Sequence, residues 1–366
     1  MQFLSIWLLG LAVTFLAGLA LVSTQSWHGH LSHDSTFGVQ KFHTEATPRI
    51  GGVAVVVGAV VAWAFAAPSV QAILGPLLIA GVPAFGFGLA EDLTKRVSIS
   101  KRLLATMASG LLGWAITGQS ITDVNVPGLD WLLGFTVLSV AFTAFAVGGV
   151  ANAINIIDGF NGLAAGTLII ILSAFALLAG SLGDTDLMQT CLILVTVVLG
   201  FGLLNWPLGK LFLGDGGAYF LGFAVAWLSV LLLGRHPGVS AWAPLLVCGF
   251  PFLEVIFSII RRWRRRASPG DADCLHLHSL VKRRIVRRLL PNTSVLVRNS
   301  VTGSIMWIAA LLPPVFALQY TTDTPALVLG FAFYAFLYSA AYARLTQFRW
   351  CLSARTTVQR ERLSAQ

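Results

Sequence analysis

Charge is what this sequence has least of. Only 11% of its 366 residues are Asp, Glu, Lys or Arg, where a soluble domain carries about 25%. So little charge cannot cover the surface of a chain this long in water, which argues against a soluble all-helical protein with a large core. Cysteine is rare too: Cys191, Cys248, Cys274 and Cys351 stand far apart, in a spacing that matches neither a disulfide framework nor a zinc site. The run from Phe3 to Val22 has no basic flank before it and no small-residue cleavage pattern. It therefore reads as a first helix and not as a removed signal. Internal repeats and low-complexity linkers are missing too.

What fills the chain is apolar. Hydrophobic residues make up 56% of it, with a mean hydropathy of +0.81. Eleven apolar segments can be marked, at about 3–22, 50–68, 71–89, 101–117, 131–150, 161–180, 188–206, 217–234, 241–260, 300–318 and 324–343. Each approaches the roughly 20 residues that cross a bilayer as a helix. Helix is the economical reading, because a backbone in lipid must satisfy its own hydrogen bonds. The expected fold is an all-α polytopic membrane protein with about eleven transmembrane helices over residues 1–343, followed by a tail at 344–366.

Eleven crossings place loops 23–49, 90–100, 151–160, 207–216 and 261–299 on one side, together with the tail. Of the 24 basic residues, 23 fall on that side with its flanks, and only Arg235 lies on the other. The positive-inside rule makes the basic side cytoplasmic. The net charge of +9 thus belongs to topology, not to a nucleic-acid surface. Arg261, Arg262, Arg264, Arg265 and Arg266 follow a span directly and read first as an anchor on anionic headgroups, with a grip on substrate phosphates as the alternative.

The same loops hold the residues capable of chemistry. Glu91 and Asp92 end the third apolar segment as adjacent like charges, which need a cation or basic partner nearby to stay ionised. A solvated helix end beside Lys95 and Arg96 is the plainer reading. In "VANAINIIDGFNG", Asn152, Asn155 and Asp158 are spaced by three and share a face on a helical end, and Asn161 continues the series. Unpaired amides and a carboxylate there are expensive, so a metal, a polar ligand or another helix must meet them. Asp215 sits among Gly214, Gly216 and Gly217, where glycines allow a carboxylate and backbone N–H groups to approach a phosphate or its metal. The long loop carries Asp271, Asp273, His276 and His278, then Lys282, Arg283 and Arg284. No third ligand completes a zinc site there, and imidazoles beside basic side chains suit phosphate oxygens. His43, between Lys41 and Arg49, adds a candidate cationic wall. Acids and amides suit a hard cation, while histidine and arginine suit phosphate. A phosphate-containing group transferred at the inner membrane surface fits both. A transporter or flippase, the competing reading, would show polar residues near mid-bilayer.

In this order and on one side, the motifs resemble those of the polyprenyl-phosphate N-acetylhexosamine-1-phosphate transferases. These include the enzymes that initiate O-antigen, common antigen and teichoic acid synthesis. The resemblance runs from the stretch Lys41–Gly52 to the His-x-His loop. Its acidic pair falls on Glu91 and Asp92, its Asn-x-x-Asn-x-x-Asp-Gly motif on Asn152, Asn155, Asp158 and Gly159, its Phe-x-Gly-Asp on Phe212, Gly214 and Asp215, and its histidine loop on Asp273, His276 and His278. Three positions depart from the pattern: Glu91 and Asn161 replace aspartates, and Ser279 replaces a histidine. The resemblance implies a bacterial inner-membrane enzyme that transfers a sugar 1-phosphate from a UDP-sugar to polyprenyl phosphate, with UMP as leaving group. It implies Mg²⁺, or Mn²⁺ in its place, on Asp215 and Asp158, and Glu91 and Asp92 acting on the carrier phosphate. Lys41, His43, Arg49, Asn152, Asn155, Asn161, Asp273, His276, His278 and Arg283 are implied to bind substrate. Direct attack at the β-phosphorus is favoured over an aspartyl-phosphate intermediate, and a homodimer is compatible with the resemblance.

Overall fold

The computed structural model describes residues 2–32, 47–265 and 275–347. Lys41, His43 and Asp273 lie outside the described residues. The described chain is helical throughout, with an isolated bridge at Pro48 and no sheet. In order, α1 (Gln2–Ser23) and the short α2 (Gln25–Ser32) precede α3 (Gly51–Ala64), α4 (Pro68–Ala80), α5 (Val82–Thr94) and α6 (Ile99–Thr117). Then come α7 (Pro127–Leu133), α8 (Thr136–Ile157), α9 (Leu163–Ser181), α10 (Thr185–Asn205) and α11 (Gly214–Arg235). The last part holds α12 (Trp242–Val247), α13 (Gly249–Arg265) and α14 (Leu277–Val281), a π-helical turn (Lys282–Val286), α15 (Arg287–Leu289), α16 (Val295–Gln319) and α17 (Thr324–Thr346).

Seven of these helices, α1, α8, α9, α10, α11, α16 and α17, are long and apolar enough to cross a membrane. The pair α4 and α5 makes an eighth if counted as one span bent by 45°. The protein is thus a multi-pass α-helical membrane protein, with fewer full-length apolar helices than the eleven segments expected. The physical reasons differ from helix to helix. With 14 residues, α3 reaches only about 21 Å at 1.5 Å per residue, against a hydrocarbon core of about 30 Å. Helix α6 opens with Lys101 and Arg102. The segment expected at 241–260 breaks between α12 and α13.

Helix α11 is the axis of the bundle. Its side chains are buried almost from end to end, as expected of a helix that is apolar on every face, and it packs against α8, α5 and α3. At its start the approach is backbone to backbone. A Cβ on Gly88 of α5 would stand 2.6 Å from the Asp215 carbonyl oxygen and 2.7 Å from Gly216 Cα, so only glycine lets these helices meet there. On the outside, Leu177, Leu329, Phe333 and Phe336 are exposed, which suits a lipid-facing surface.

At the end of α11 remote from Asp215, Arg235, the one basic residue expected on the opposite side, has a partner. Arg235 Nε and Nη2 donate to Asp184 at 2.6 and 2.9 Å, and His236 Nε2 donates to the same carboxylate at 3.0 Å. Burial pushes the Asp184 carboxyl up, but Arg235, the Leu187 N–H and His236 outweigh it and hold the group at about 2, below its ordinary 3.8. A depressed acid pKa stabilises the fold fully above the unfolded value, and that stability is lost as pH falls through the folded one. The thermal midpoint of detergent-solubilised protein should therefore fall between about pH 4 and pH 2. Asp184→Asn should flatten that part of the profile, and an unchanged profile in the variant would contradict the assignment.

Candidate active site

The site is assembled at the first turn of α11. Segment 47–52 runs beside 212–213, with Phe212 N–H donating to the Pro48 carbonyl and Gly51 and Gly52 N–H to the carbonyls of Phe212 and Leu213, all at 2.9 Å. This pairing delivers Arg49 to Asp215. Gly214 sits between them at φ +73°, and a Cβ there would strike the Arg49 carbonyl and stand 2.6 Å from Asp92 Oδ2. The glycine before Asp215 is therefore required both by its left-handed backbone and by space.

Asp92, on the last turns of α5, is buried. Its Oδ1 and Oδ2 accept the N–H groups of Asp215 and Gly216, both at 2.9 Å. One carboxylate thus satisfies two orphan donors at the positive end of α11. The glycine-flanked turn does bring N–H groups to a carboxylate, but the carboxylate they meet belongs to the protein.

Asp215 in turn collects three donors. Arg49 Nη2 lies 3.3 Å from its Oδ1 and 3.7 Å from Asp92 Oδ1, and Asn155 Nδ2 donates to Oδ1 at 3.1 Å. Arg102, from the first turn of α6, pairs with Oδ2 and stands 5.8 Å over the ring of Tyr219. Asp158 caps the end of α8. Burial raises its carboxyl to about 7, although Arg49 and the Gly214 N–H pull the other way. Arg49 is thus shared by three carboxylates, and Asp158 remains short of positive charge.

The histidine loop docks on the same motif. Glu254, buried in α13, accepts from His276 Nδ1 and from the Leu277 N–H, both at 3.1 Å, and His278 Nδ1 lies 3.7 Å away. The two imidazoles are parallel, 5.2 Å apart at 6°. His278 meets the Phe160 ring edge-on at 5.4 Å, and its Nε2 would be 3.3 Å from a Cβ on Gly159. Lys282 Nζ lies 4.8 Å over Phe160, a cation–π arrangement. Burial, then Arg298 and Arg287, lowers its ammonium to about 7.

The structure therefore gathers Arg49, Asp92, Asn155, Asp158 and Asp215 in one cluster and sets His276 and His278 against the next residues of the asparagine motif. Helix α8 runs on to Ile157, so Asn152 and Asn155 are helical, not part of a loop starting at 151, and share the expected face. Two expected residues are used differently. Glu91 Oε2 accepts the Val97 N–H at 2.7 Å, closing the turn after its own helix. Asn161 is buried against Gly209 and Gly303, on the side of α10 and α16. Arg283 lies in the π-helical turn on the segment that carries the histidines. Arg102 and Glu254 were not singled out from sequence. The signal for Glu254 was present: a lone acid in an apolar run needs a buried partner. Arg102 looked like one more topology charge.

Among the described residues no three His, Cys, Asp or Glu side chains stand close enough together to form a metal cage. The donor set still fits Mg²⁺, which takes one or two carboxylates and leaves its other positions to water and phosphate. All the acids here offer hard oxygen.

A bundle of membrane-length helices with a cluster of acids, arginines and histidines at one end defines a polytopic α-helical membrane protein. Residues 74–233 match the sequence profile of glycosyl transferase family 4. It is 28% identical over 243 residues to a probable undecaprenyl-phosphate N-acetylglucosaminyl 1-phosphate transferase of Bacillus subtilis, covering 65% of this chain and 66% of that one. Undecaprenyl-phosphate alpha-N-acetylglucosaminyl 1-phosphate transferases are 28% identical in Salmonella typhi, over 254 residues, and 27% in Escherichia coli K12, over 251 residues. Each match covers 67% of both chains.

The geometry separates the two adjacent acids. Glu91→Gln keeps an oxygen for the Val97 N–H and should hold activity within about tenfold. Asp92→Asn loses a charge facing Arg49 and can accept only one of two N–H groups, so activity should drop about 100-fold or more. Rates of sugar-phosphate transfer by the two purified variants check this, and the reverse ranking would refute it.

Proposed function

We propose that this protein transfers an N-acetylhexosamine 1-phosphate from a UDP-sugar, UDP-N-acetylglucosamine by default, to undecaprenyl phosphate at the cytoplasmic face of a bacterial inner membrane. UMP is released, and the lipid-diphosphate-linked sugar starts a cell-envelope glycan. The names of the relatives suggest the substrates. The observation that carries the reading on this chain is the Asp215 centre, where Arg49, Arg102 and Asn155 surround one carboxylate beside Asp158. Helices α3 and α6 and the α12–α13 pair are read as completing eleven crossings.

The chemical problem is attack of one anion on another. A phosphate monoester has its second pKa near 6 and is mostly dianionic at neutral pH, so a strong base is dispensable. A carrier phosphate oxygen attacks the β-phosphorus of the donor. The bond from that phosphorus to the bridging oxygen breaks, and the oxygen leaves on UMP. Arg49 and Arg102 present to carboxylates the same planar fork that fits phosphate oxygens, so they can pass from one to the other as substrate enters. Asp92 holds the α11 N-terminus and with it Asp215; both its oxygens are already taken by N–H groups, which leaves it a positioning role. His276 and His278 hold the diphosphate, and the asparagines orient it. Mg²⁺, or Mn²⁺, held by Asp215 and Asp158 would neutralise charge on the diphosphate and stabilise the leaving phosphate.

Purified protein given UDP-N-acetylglucosamine, undecaprenyl phosphate and Mg²⁺ should form UMP only when all three are present. Asp158→Asn and Asp215→Asn should each lower the rate by about 100- to 1,000-fold, and chelation should abolish it. A full rate in either variant would remove the site assignment, while movement of label across a bilayer without UMP would favour a flippase.

A further inference from the structure

We propose that Glu254 is a positioning residue that aims both histidines of the His-x-His loop at the diphosphate of the nucleotide, an inference that rests on the transferase reading above. Glu254 sits on α13, two turns before the run of arginines, in an otherwise apolar stretch. A carboxylate there is tolerated only with close partners; these include the Leu277 N–H, the Nδ1 atoms of His276 and His278, and Tyr338. The consequence is directional. With Nδ1–H of His276 donated to the carboxylate, the tautomer and tilt of the ring are fixed and Nε2 must point away, as second-shell acids fix imidazoles elsewhere. His278 Nδ1, at 3.7 Å, is within ion-pair but not hydrogen-bond distance of Glu254; its ring is aligned through the parallel stack on His276, which sets its Nε2 beside Gly159, directly after Asp158. The two imidazoles, two residues apart in the chain, are held parallel on the same side of the loop. The spacing His-x-His, the Leu277 N–H between the rings and a single acid facing all three make one device.

The arrangement predicts what Glu254→Gln does. The amide can still accept from Leu277, but its NH₂ faces a ring N–H and turns the imidazole away. Binding of UDP, used as the diphosphate probe, should weaken at least tenfold. In turnover, KM for the UDP-sugar should rise while KM for the lipid acceptor stays within about twofold. Glu254→Asp, which keeps the charge on a shorter arm, should recover part of the UDP affinity. The loss should vanish in a His276→Ala, His278→Ala background, because contacting residues that act as one unit are not additive. A merely structural role would lower both KM-related affinities or none, and would persist in that background. UDP binding unchanged in folded E254Q, or a full extra loss on the histidine-less background, overturns the inference. If E254Q is not recovered folded, E254D decides: UDP affinity equal to wild type overturns it. Wild-type protein that binds UDP in a Glu254-dependent way but forms no UMP would instead count against the proposed reaction and leave this inference standing.

Discussion

The buried carboxylate of Asp92 on the first turn of α11 is the contact from which the rest of the site follows. The first residues of α11 are buried, so its unpaired N–H groups need partners from the protein. Asp92 answers two of them, and in doing so fixes α5 against α11 and fixes where Asp215 must project. A second acid in that turn would be intolerable alone, so Arg49 and Arg102 are drawn in from segments 166 and 113 residues away along the chain. The glycines at 88 and 214 are the steric counterpart, since the acids reach one another only if the backbones touch.

This chain of requirements explains which parts of the site were legible in the sequence. Asn155 and Asp158 could be read from their spacing, because a helical period says what shares a face without knowing the partner. Gly-Asp-Gly could be read because the turn needs glycine. What could not be read were pairings across elements. Nothing local tells that Glu91 bends back to Val97 while its neighbour Asp92 reaches α11, or that Asn161 points towards Gly209 rather than along the series begun at Asn152. Arg102 was hidden for a different reason: a cation at the end of an apolar run has a sufficient explanation in topology. The eleven apolar runs were visible, but composition does not show where a run bends, as between α4 and α5, or breaks, as between α12 and α13.

The two ends of α11 illustrate opposite uses of charge. At Arg235 one acid, one arginine and one histidine pair closely and complete each other. At Asp215 three acids share Arg49, and Arg102 adds a second cation to Asp215. The first arrangement is suited to holding loops together. The second leaves more acids than bases in one cluster, and under the proposed function a phosphate ligand and its metal would complete it; the match of residues 74–233 to glycosyl transferase family 4 points to the same reaction class.

The central claim is that this end of the bundle moves a phosphate together with its sugar. It is tested most directly with a UDP-sugar carrying label only on the β-phosphorus, incubated with the purified protein, Mg²⁺ and undecaprenyl phosphate. The account predicts that the label enters the lipid fraction while the released UMP stays unlabelled. Label appearing in UDP or inorganic phosphate, with unmodified carrier lipid, would contradict it.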